Sequence, residues 1–281
     1  DSSTQDLSEQ DPSKLSVDAN SLVAIFTQAN QTPDGWDPGW EVYQMTADGR
    51  ISVQKAERSR VAIPGDYASY KWTKEGVSIG DHVTLRVYPG SSEAQAGYFF
   101  AFGSTLTDQF DEFDLMRFYF NITAEAAPTL LSTLTALLNR HAIPFRFKTL
   151  VDARAYQRAD AAVLYLAKRY YHQVVSLLPY VYHELGNGIQ SATPMFCKTL
   201  APGMGVAEDP GGGESFGQHR CGLVAAGLVD AWVAGLQDPD AKLIAIEKRF
   251  NELGINLATP HLNPHSLELI EPAIGLAASL L

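Results

Sequence analysis

The sequence predicts an α+β fold, with a strand-rich N-terminal lobe followed by a region that mixes strands and helices. Between Trp40 and Asn121, short apolar or alternating runs are separated by glycine, proline and aspartate, as in strands joined by turns. After Asn121, apolar residues recur at helical spacing, and strand-like segments lie between the helical ones. Strands first, with helices interleaved later, favour α+β organisation.

We expect residues 1–20 to form a disordered tail, because they are polar and acidic and show no periodicity. Residues 21–281 are predicted to form a single domain. Its strand-rich N-terminal lobe covers 21–114, and the mixed region, in which we place any catalytic residues, covers 115–281.

Composition and charge exclude several classes of protein. The chain carries 21 Lys and Arg residues against 32 Asp and Glu, a net charge of −11, so we expect no nucleic-acid partner. Its apolar stretches fall short of the ~20 residues that span a bilayer, so we expect no membrane partner. The two cysteines, Cys197 and Cys221, are too few for a disulfide framework and indicate a reducing, cytoplasmic compartment.

The first strands are predicted from runs of alternating or apolar residues. They are EVYQM, RISVQK, HVTLRVY, GYFFAFG and LMRFYFN. Because successive side chains of a strand point to opposite faces, the last run places Arg117, Tyr119 and Asn121 on one face. The other face carries apolar residues and is expected to pack.

The mixed region begins with a helix near 127–141, indicated by a leucine stripe that starts at Leu130 and by Pro128 in the first turn. In the next strand, IPFRFKTL, Arg146 and Lys148 alternate with phenylalanines. A second helix is predicted from Asp160 to about Glu184, interrupted or kinked at Pro179. A strand at PMFCKTL, a long loop over 201–217, two helices and a last apolar segment complete the chain.

Several cations lie where they would meet an anion. Arg117, Arg146 and Lys148 lie on polar strand faces, whereas Arg158 and Arg220 lie near predicted helix starts, where free N–H groups favour an anion. A phosphate-bearing ligand would suit these cations. The alternatives are that the strand faces are simply solvated, that Arg158 pairs with Asp160, and that Arg220 is a surface cation.

Five short motifs in order resemble the HopA-type type III effector family. They are RFYFN (117–121), IPFRFK (143–148), RADAAVLY (158–165), TPMFCK (193–198) and AEDPGGGESFGQHR (207–220). Relatives in that family include the stand-alone lyases of class V lanthipeptide and thioviridamide-like biosynthesis. The resemblance implies a phosphothreonine lyase fold and β-elimination of phosphate from phosphothreonine or phosphoserine in a precursor peptide, without a cofactor. The implied partners are that phosphorylated peptide and a separate kinase.

A more distant similarity to phosphothreonine lyase effectors, and to the lyase domains of lanthipeptide synthetases, implies residue roles. Those proteins carry Lys-x-His on one strand and a catalytic lysine later, and here Arg117-x-Tyr119 precedes Lys148 at a comparable distance. Lys148 would be the base and Tyr119 the general acid, in place of the histidine. Substrate phosphate would be bound by Arg117, Arg158, Lys198 and Arg220, with Asn121, Arg146, Asp160 and His219 in support.

Two other functions fit the same resemblance. One is a secreted effector that acts by binding a host signalling protein. The other is a non-catalytic subunit that binds a leader peptide. Lys148 among cations favours the lyase over both, because a pure binding module needs no partly buried lysine.

Overall fold

The computed structural model describes residues 22–69, 76–105, 107, 111 and 114–268. The chain divides into two compact units, of which the smaller covers Thr32–Pro89 and the larger covers the rest. The predicted tail, residues 1–20, lies outside the described residues. So does the last apolar segment beyond Glu268.

The smaller unit is a five-stranded antiparallel sheet in the order β3-β2-β1-β5-β4. Its strands are β1 (Gly35–Met45), β2 (Ile51–Lys55), β3 (Arg58–Ala62), β4 (Tyr67–Ser69) and β5 (His82–Val87). One face buries a small apolar cluster around Trp40 and Val53. The strands predicted at EVYQM, RISVQK and HVTLRVY are therefore confirmed.

The larger unit contains a seven-stranded antiparallel sheet in the order β11-β12-β8-β10-β9-β7-β6. Its strands are β6 (Gly90–Ser91), β7 (Tyr98–Phe102), β8 (Leu115–Phe120), β9 (Arg146–Leu150), β10 (Ala162–Ala167), β11 (Lys198–Ala201) and β12 (Met204–Glu208). Its helices are α1 (22–29), α2 (Ala127–Arg140), α3 (Tyr171–Leu185), α4 (Phe216–Val233) and α5 (Pro239–Glu252). The α+β fold is confirmed. Strand β7, predicted within the N-terminal lobe, belongs to this second sheet, as does the short β6, which the sequence did not predict.

Helices α2 and α3 cover one face of the larger sheet and form the main core. Phe118 and Phe120 of β8, Phe147 of β9 and Leu164 of β10 are buried in the same cluster as the α2 leucines. The α2 stripe and the alternation in β9 thus have the roles that the sequence predicts. Burial of these side chains provides the main favourable free energy of folding.

The helix predicted over 160–184 is wrong in its first third. Residues Ala162–Ala167 form β10, which lies between β8 and β9, and α3 begins only at Tyr171. All six β10 residues are buried, so the strand lacks the polar alternation that marks a half-exposed strand. Arg158 and Asp160 therefore precede a strand, and no helix start is present there to attract an anion.

The long loop predicted over 201–217 is largely a hairpin of β11 and β12, followed by a short segment, 209–215, that leads into α4. Glycine here allows close approach of neighbouring chain segments. Gly203 turns the hairpin at φ +76°, and a Cβ there would lie 2.0 Å from the carbonyl oxygen of Gln190. A Cβ at Gly205 would lie 2.4 Å from Sγ of Cys197. The glycines fit a compact hairpin, which their frequency alone did not indicate.

Candidate active site

The face of the larger sheet opposite α2 and α3 carries two rows of aligned side chains. Strand register pairs Tyr165 with Arg117 on one side and with Arg146 on the other. In the next row, Val163 pairs with Tyr119 and with Lys148. Residues directly opposite each other in a sheet share a face, so β10 brings together cations from β8 and β9. We call Arg117, Arg146 and Lys148 the cationic cluster.

A cavity of about 790 Å³ opens on this face. Its lining includes the cationic cluster, Tyr165, and the 209–215 segment, which we call the glycine loop. Three phenylalanines form another side, and we call them the aromatic wall: Phe100, Phe102 and Phe145. A volume of this size accommodates several residues of a peptide or a small organic ligand.

The ring of Tyr165 lies among the three cations. Its centroid is 5.4 Å from Cζ of Arg117 and 4.7 Å from Cζ of Arg146. The centroid is 5.7 Å from Nζ of Lys148. Cations near the electron-rich face of an aromatic ring are attracted to it. Tyr165 therefore offsets part of the repulsion among three like charges.

Arg117 links the cationic cluster to the glycine loop. Its side chain is almost fully buried, and it donates hydrogen bonds to Oδ2 of Asp209 at 2.7 Å and to the carbonyl oxygen of Glu214 at 2.8 Å. Oδ1 of Asp209 accepts a hydrogen bond from the amide of Gly211. Arg117 thus holds both ends of the loop against the sheet, with part of its charge balanced by Asp209.

Lys148 is half-buried in the cavity, where Nζ lies 4.5 Å from the centroid of the Tyr98 ring. Nζ also donates a hydrogen bond of 3.3 Å to Oε1 of Gln95. Burial lowers the pKa of Lys148 to about 8, and the charges of Arg117 and Arg146 act in the same direction. The structure thus gives this lysine a much larger neutral fraction at neutral pH than an exposed lysine has.

Tyr119 does not line the cavity. Its ring packs 6.3 Å from the ring of Phe216, within an apolar cluster that also contains Val163, Ala207 and Tyr165. The first turn of α4 covers this end of the row, and burial raises the pKa of the Tyr119 hydroxyl. The residue implied as the general acid is therefore enclosed beside Arg117 and away from Lys148.

Arg158, Asp160 and Lys198 are also absent from the cavity lining. Arg158 forms a two-point ion pair with Asp160, with N to O distances of 2.6 and 2.7 Å, and about half of its side chain is exposed. This ion pair is the alternative to phosphate binding that the sequence analysis gave for Arg158. The two charges act on the pKa of Lys148 in opposite directions. Lys198, at the start of β11, pairs with Glu268.

Arg220 holds the chain after α5 instead of facing the cavity. It is fully buried and donates to the carbonyl oxygens of Pro260 at 2.7 Å and Leu262 at 2.9 Å. Nη1 also lies 2.7 Å from Nδ1 of His219. Burial, together with the charge of Arg220, lowers the pKa of His219. The alternative of a surface cation is therefore wrong, because the 260–263 segment folds over this side chain.

Asn121 is buried outside the cavity. Its Nδ2 donates a hydrogen bond of 2.8 Å to the carbonyl oxygen of Ala192, which ties the end of β8 to the segment before β11. The structure thus brings Lys148, Arg117 and Arg146 together in the cavity, and the other predicted site residues do not line it.

Sequence reasoning missed Tyr165, Asp209 and the aromatic wall. Tyr165 was hidden by the assignment of its segment to a helix, since strand alternation over 162–167 would have placed it on the face of Arg117. Asp209 lies in the 207–220 motif, but no local pattern singles it out, because its partner Arg117 is 92 residues away.

Solved structures of two effector proteins resemble this chain. One is from Pseudomonas syringae pv. syringae strain 61, with a TM-score of 0.52 and 15% identity over 92% of this chain and 85% of that one. The other, from Pseudomonas syringae pv. tomato strain DC3000, has a TM-score of 0.47 and 17% identity. That match covers 62% of this chain and 66% of the other, just under two thirds of its length. At such identity the strain 61 protein supports the fold alone.

Comparison with curated proteins gives no match. None of the helices in the described part of the chain is long and apolar enough to cross a membrane. The HopA1 effector protein family matches residues 90–262, which contain the whole seven-stranded sheet, the cationic cluster and the glycine loop. The chain therefore belongs to the HopA1 effector protein family.

Proposed function

We propose that this chain is a lyase that eliminates phosphate from phosphothreonine or phosphoserine in a precursor peptide, during biosynthesis of a lanthipeptide-like product. The observation that carries the proposal is the presence of a half-buried lysine and two arginines, Arg117 and Arg146, in one cavity. A separate kinase would supply the phosphorylated peptide. The motif resemblance supports the reaction class, and the cavity supplies the groups that this reaction needs.

Lys148 is the proposed base. Its neutral amine takes the proton from the α-carbon of the phosphorylated residue, and the electron pair of that C–H bond forms the Cα=Cβ double bond. The bond from Cβ to the phosphate oxygen breaks, and the phosphate leaves with its electrons. The products are dehydrobutyrine from threonine and dehydroalanine from serine. A lowered pKa suits this role, since a base must be neutral before it accepts a proton.

The phosphate group is assigned to Arg146 and the start of α4. Arg146 is exposed in the cavity and forms no ion pair with the described residues, so its charge is free to meet an anion. Ser215, the N-cap of α4, and Gln218 also line the cavity. Free N–H groups at a helix start favour negative charge. Arg117 contributes to phosphate binding indirectly, because its hydrogen bonds hold the glycine loop in position.

Tyr165 is the proposed donor of the proton that the leaving phosphate takes up. It lines the cavity beside Arg117 and Arg146, whereas the ring of Tyr119 does not. Burial raises the pKa of Tyr165 although both arginines oppose this effect, so its hydroxyl is protonated at neutral pH. A hydroxyl with a proton to give is what the second half of the reaction requires.

Mass spectrometry of phosphothreonine and phosphoserine peptides incubated with the purified full chain tests the proposal. We expect loss of phosphoric acid with the wild-type protein and none with Lys148→Ala. The matched control is Lys248→Ala, which removes an exposed lysine of α5 and should leave elimination unchanged. Elimination by Lys148→Ala at the wild-type rate, or by no variant including wild type, contradicts the proposal.

A second candidate function is non-catalytic binding of another protein, favoured by the outer surface of α4 and α5. Val229, Trp232, Val233 and Ile244 are each more than half exposed there, and exposed apolar patches mark interaction sites. This candidate predicts a partner whose capture fails with Trp232→Ser and persists with Lys148→Ala. The lyase proposal predicts instead that elimination is lost with Lys148→Ala and persists with Trp232→Ser.

A further inference from the structure

We propose that the aromatic wall is a subsite for a bulky apolar side chain close to the phosphorylated residue of the substrate. This inference rests on the proposed function for the identity of the ligand as a phosphopeptide. It adds to that function a preference for particular substrate residues on either side of the phosphorylated one.

The aromatic wall is aligned with the cationic cluster by strand register. Phe100 pairs with Lys148, and Phe102 pairs with Arg146, across the β7–β9 ladder. The rings of Phe100 and Phe102 are stacked, with centroids 6.1 Å apart and planes inclined by 17°. Neighbouring strands are ~4.8 Å apart, so the proposed base Lys148 and the proposed phosphate ligand Arg146 each have a phenylalanine as a direct neighbour.

Of the three wall residues, Phe145 is part of the main core, whereas Phe100, although buried, and Phe102 lie outside its cluster. They point away from α2 and α3, and neither belongs to the buried clusters of the described residues. Phe102 remains partly exposed to the cavity. When an apolar group displaces water from apolar surface that lines an open cavity, the free energy of binding becomes more favourable. The wall is therefore suited to a ligand group, and it supplies no hydrogen-bonding side chain of its own.

Chain geometry limits which substrate residue reaches the wall. Consecutive Cα atoms of a peptide are ~3.8 Å apart, and residues two positions apart in an extended chain are ~7 Å apart. With the phosphate at Arg146 and the α-carbon at Lys148, a side chain one or two positions away spans the distance to the wall. The subsite therefore binds a side chain that lies within two residues of the phosphorylated one.

A charge argument alone predicts a different preference. The lining contains three basic side chains, and its carboxylates, Asp209 and Glu214, lie in the glycine loop. If charge decided the context, acidic neighbours of the phosphorylated residue would bind best. If the aromatic wall decides it, leucine or phenylalanine binds better than either glutamate or glycine. The two interpretations are separated by one set of peptides.

The experiment uses three peptides that carry a phosphonate in place of the phosphate. Carbon replaces the bridging oxygen, so the C–O bond that elimination breaks is missing and binding is measured without turnover. The peptides differ only at the two positions on each side of the phosphonate, which are all leucine, all glutamate or all glycine. Fluorescence anisotropy with the full chain gives the three values of Kd.

We expect the leucine peptide to bind about tenfold more tightly than the glycine peptide, as burial of one apolar side chain predicts. Phe102→Ser should reduce that advantage to about threefold or less while its affinity for the glycine peptide stays unchanged, which excludes a folding defect as the cause. Phe102→Leu should retain most of the advantage. Tyr180→Ser removes an exposed aromatic ring of α3 and should change nothing. Equal affinity for leucine and glycine peptides, or an advantage that Phe102→Ser leaves intact, overturns the subsite.

The same peptides with authentic phosphothreonine separate this inference from the proposed function. A leucine advantage that depends on Phe102, without elimination from any peptide, refutes the lyase and supports the subsite. Elimination at equal rates from all three peptides, with equal phosphonate affinities, supports the lyase and refutes the subsite.

Discussion

Raising the pH from 7 to 9 should increase kcat/KM for elimination about tenfold and bring it to a plateau. The pKa of Lys148 is lowered from its ordinary value to about 8, with burial as the largest cause. The neutral fraction of such a lysine rises from about a tenth at pH 7 to about nine tenths at pH 9. A lysine with an ordinary pKa of ~10.4 would give about a hundredfold increase and no plateau over the same range.

Arg146→Met tests the origin of the shift. Loss of this charge should raise the pKa of Lys148 and move the midpoint of the profile to higher pH. The movement should be less than about one unit, because burial contributes more than Arg146 does. The level of kcat/KM should also fall, since Arg146 is the proposed phosphate ligand. Lys248→Met, on the exposed side of α5, is the charge-matched control and should leave the midpoint in place.

Initial rates by mass spectrometry over pH 6.5 to 10 provide the measurement. The second pKa of a phosphate ester is ~6, so the substrate is a dianion over most of this range and contributes little to the profile above pH 7. A profile that is flat between pH 7 and 9, or that rises through pH 10 without a plateau, refutes the assignment of Lys148 as a base held near pKa 8.

Three further predictions concern single substitutions. Tyr165→Phe should slow elimination on the order of a hundredfold in single-turnover assays, whereas Tyr119→Phe should stay near wild type; the opposite order would return the acid role to Tyr119. Gly227→Ala should lower the free energy of unfolding by about 2–3 kcal/mol in urea titrations, since a Cβ there would lie 2.5 Å from a backbone atom of α5. The Gly222→Ala control, with nothing within 4 Å, should raise it by up to about 1 kcal/mol. Arg220→Met should lower the free energy of unfolding by about 3 kcal/mol or more in the same titrations, since buried acceptors lose a charged donor; an unchanged midpoint would contradict the structural role.

The cationic cluster was predictable because it depends on local alternation. Arg117 and Lys148 each lie on a strand whose apolar residues identify the buried face, so their common direction follows from the period of two. Their proximity required the strand between them. AVLYLA does not alternate, and a short apolar run of this kind is read equally well as a helix or as a central strand. Its structure is decided by the neighbouring strands β8 and β9, and these lie outside the six residues of the run.

The remaining predicted phosphate ligands depend on contacts distant in the chain. Lys198 pairs with a residue 70 positions later, and Arg220 donates to carbonyl oxygens 40 and 42 positions later. No local pattern distinguishes these cations from ligand-binding ones. Arg158 is different, since its partner lies two residues away. In that case the local ion pair was visible in the sequence and competed directly with the functional interpretation.

The charges in the cavity lead to a last prediction, which separates kcat from kcat/KM. Three basic and two acidic side chains line the cavity, so one positive charge is unbalanced when Lys148 is protonated and none when it is neutral. A bound phosphate dianion adds negative charge near Nζ and therefore favours the protonated amine, which raises the pKa of Lys148 in the complex. Since kcat/KM reports the free enzyme and kcat reports the complex, the midpoint of kcat should lie at higher pH than the midpoint of kcat/KM. Coincident midpoints would show that the phosphate binds too far from Lys148 to affect its charge, and the assignment of the phosphate to Arg146 would then be wrong.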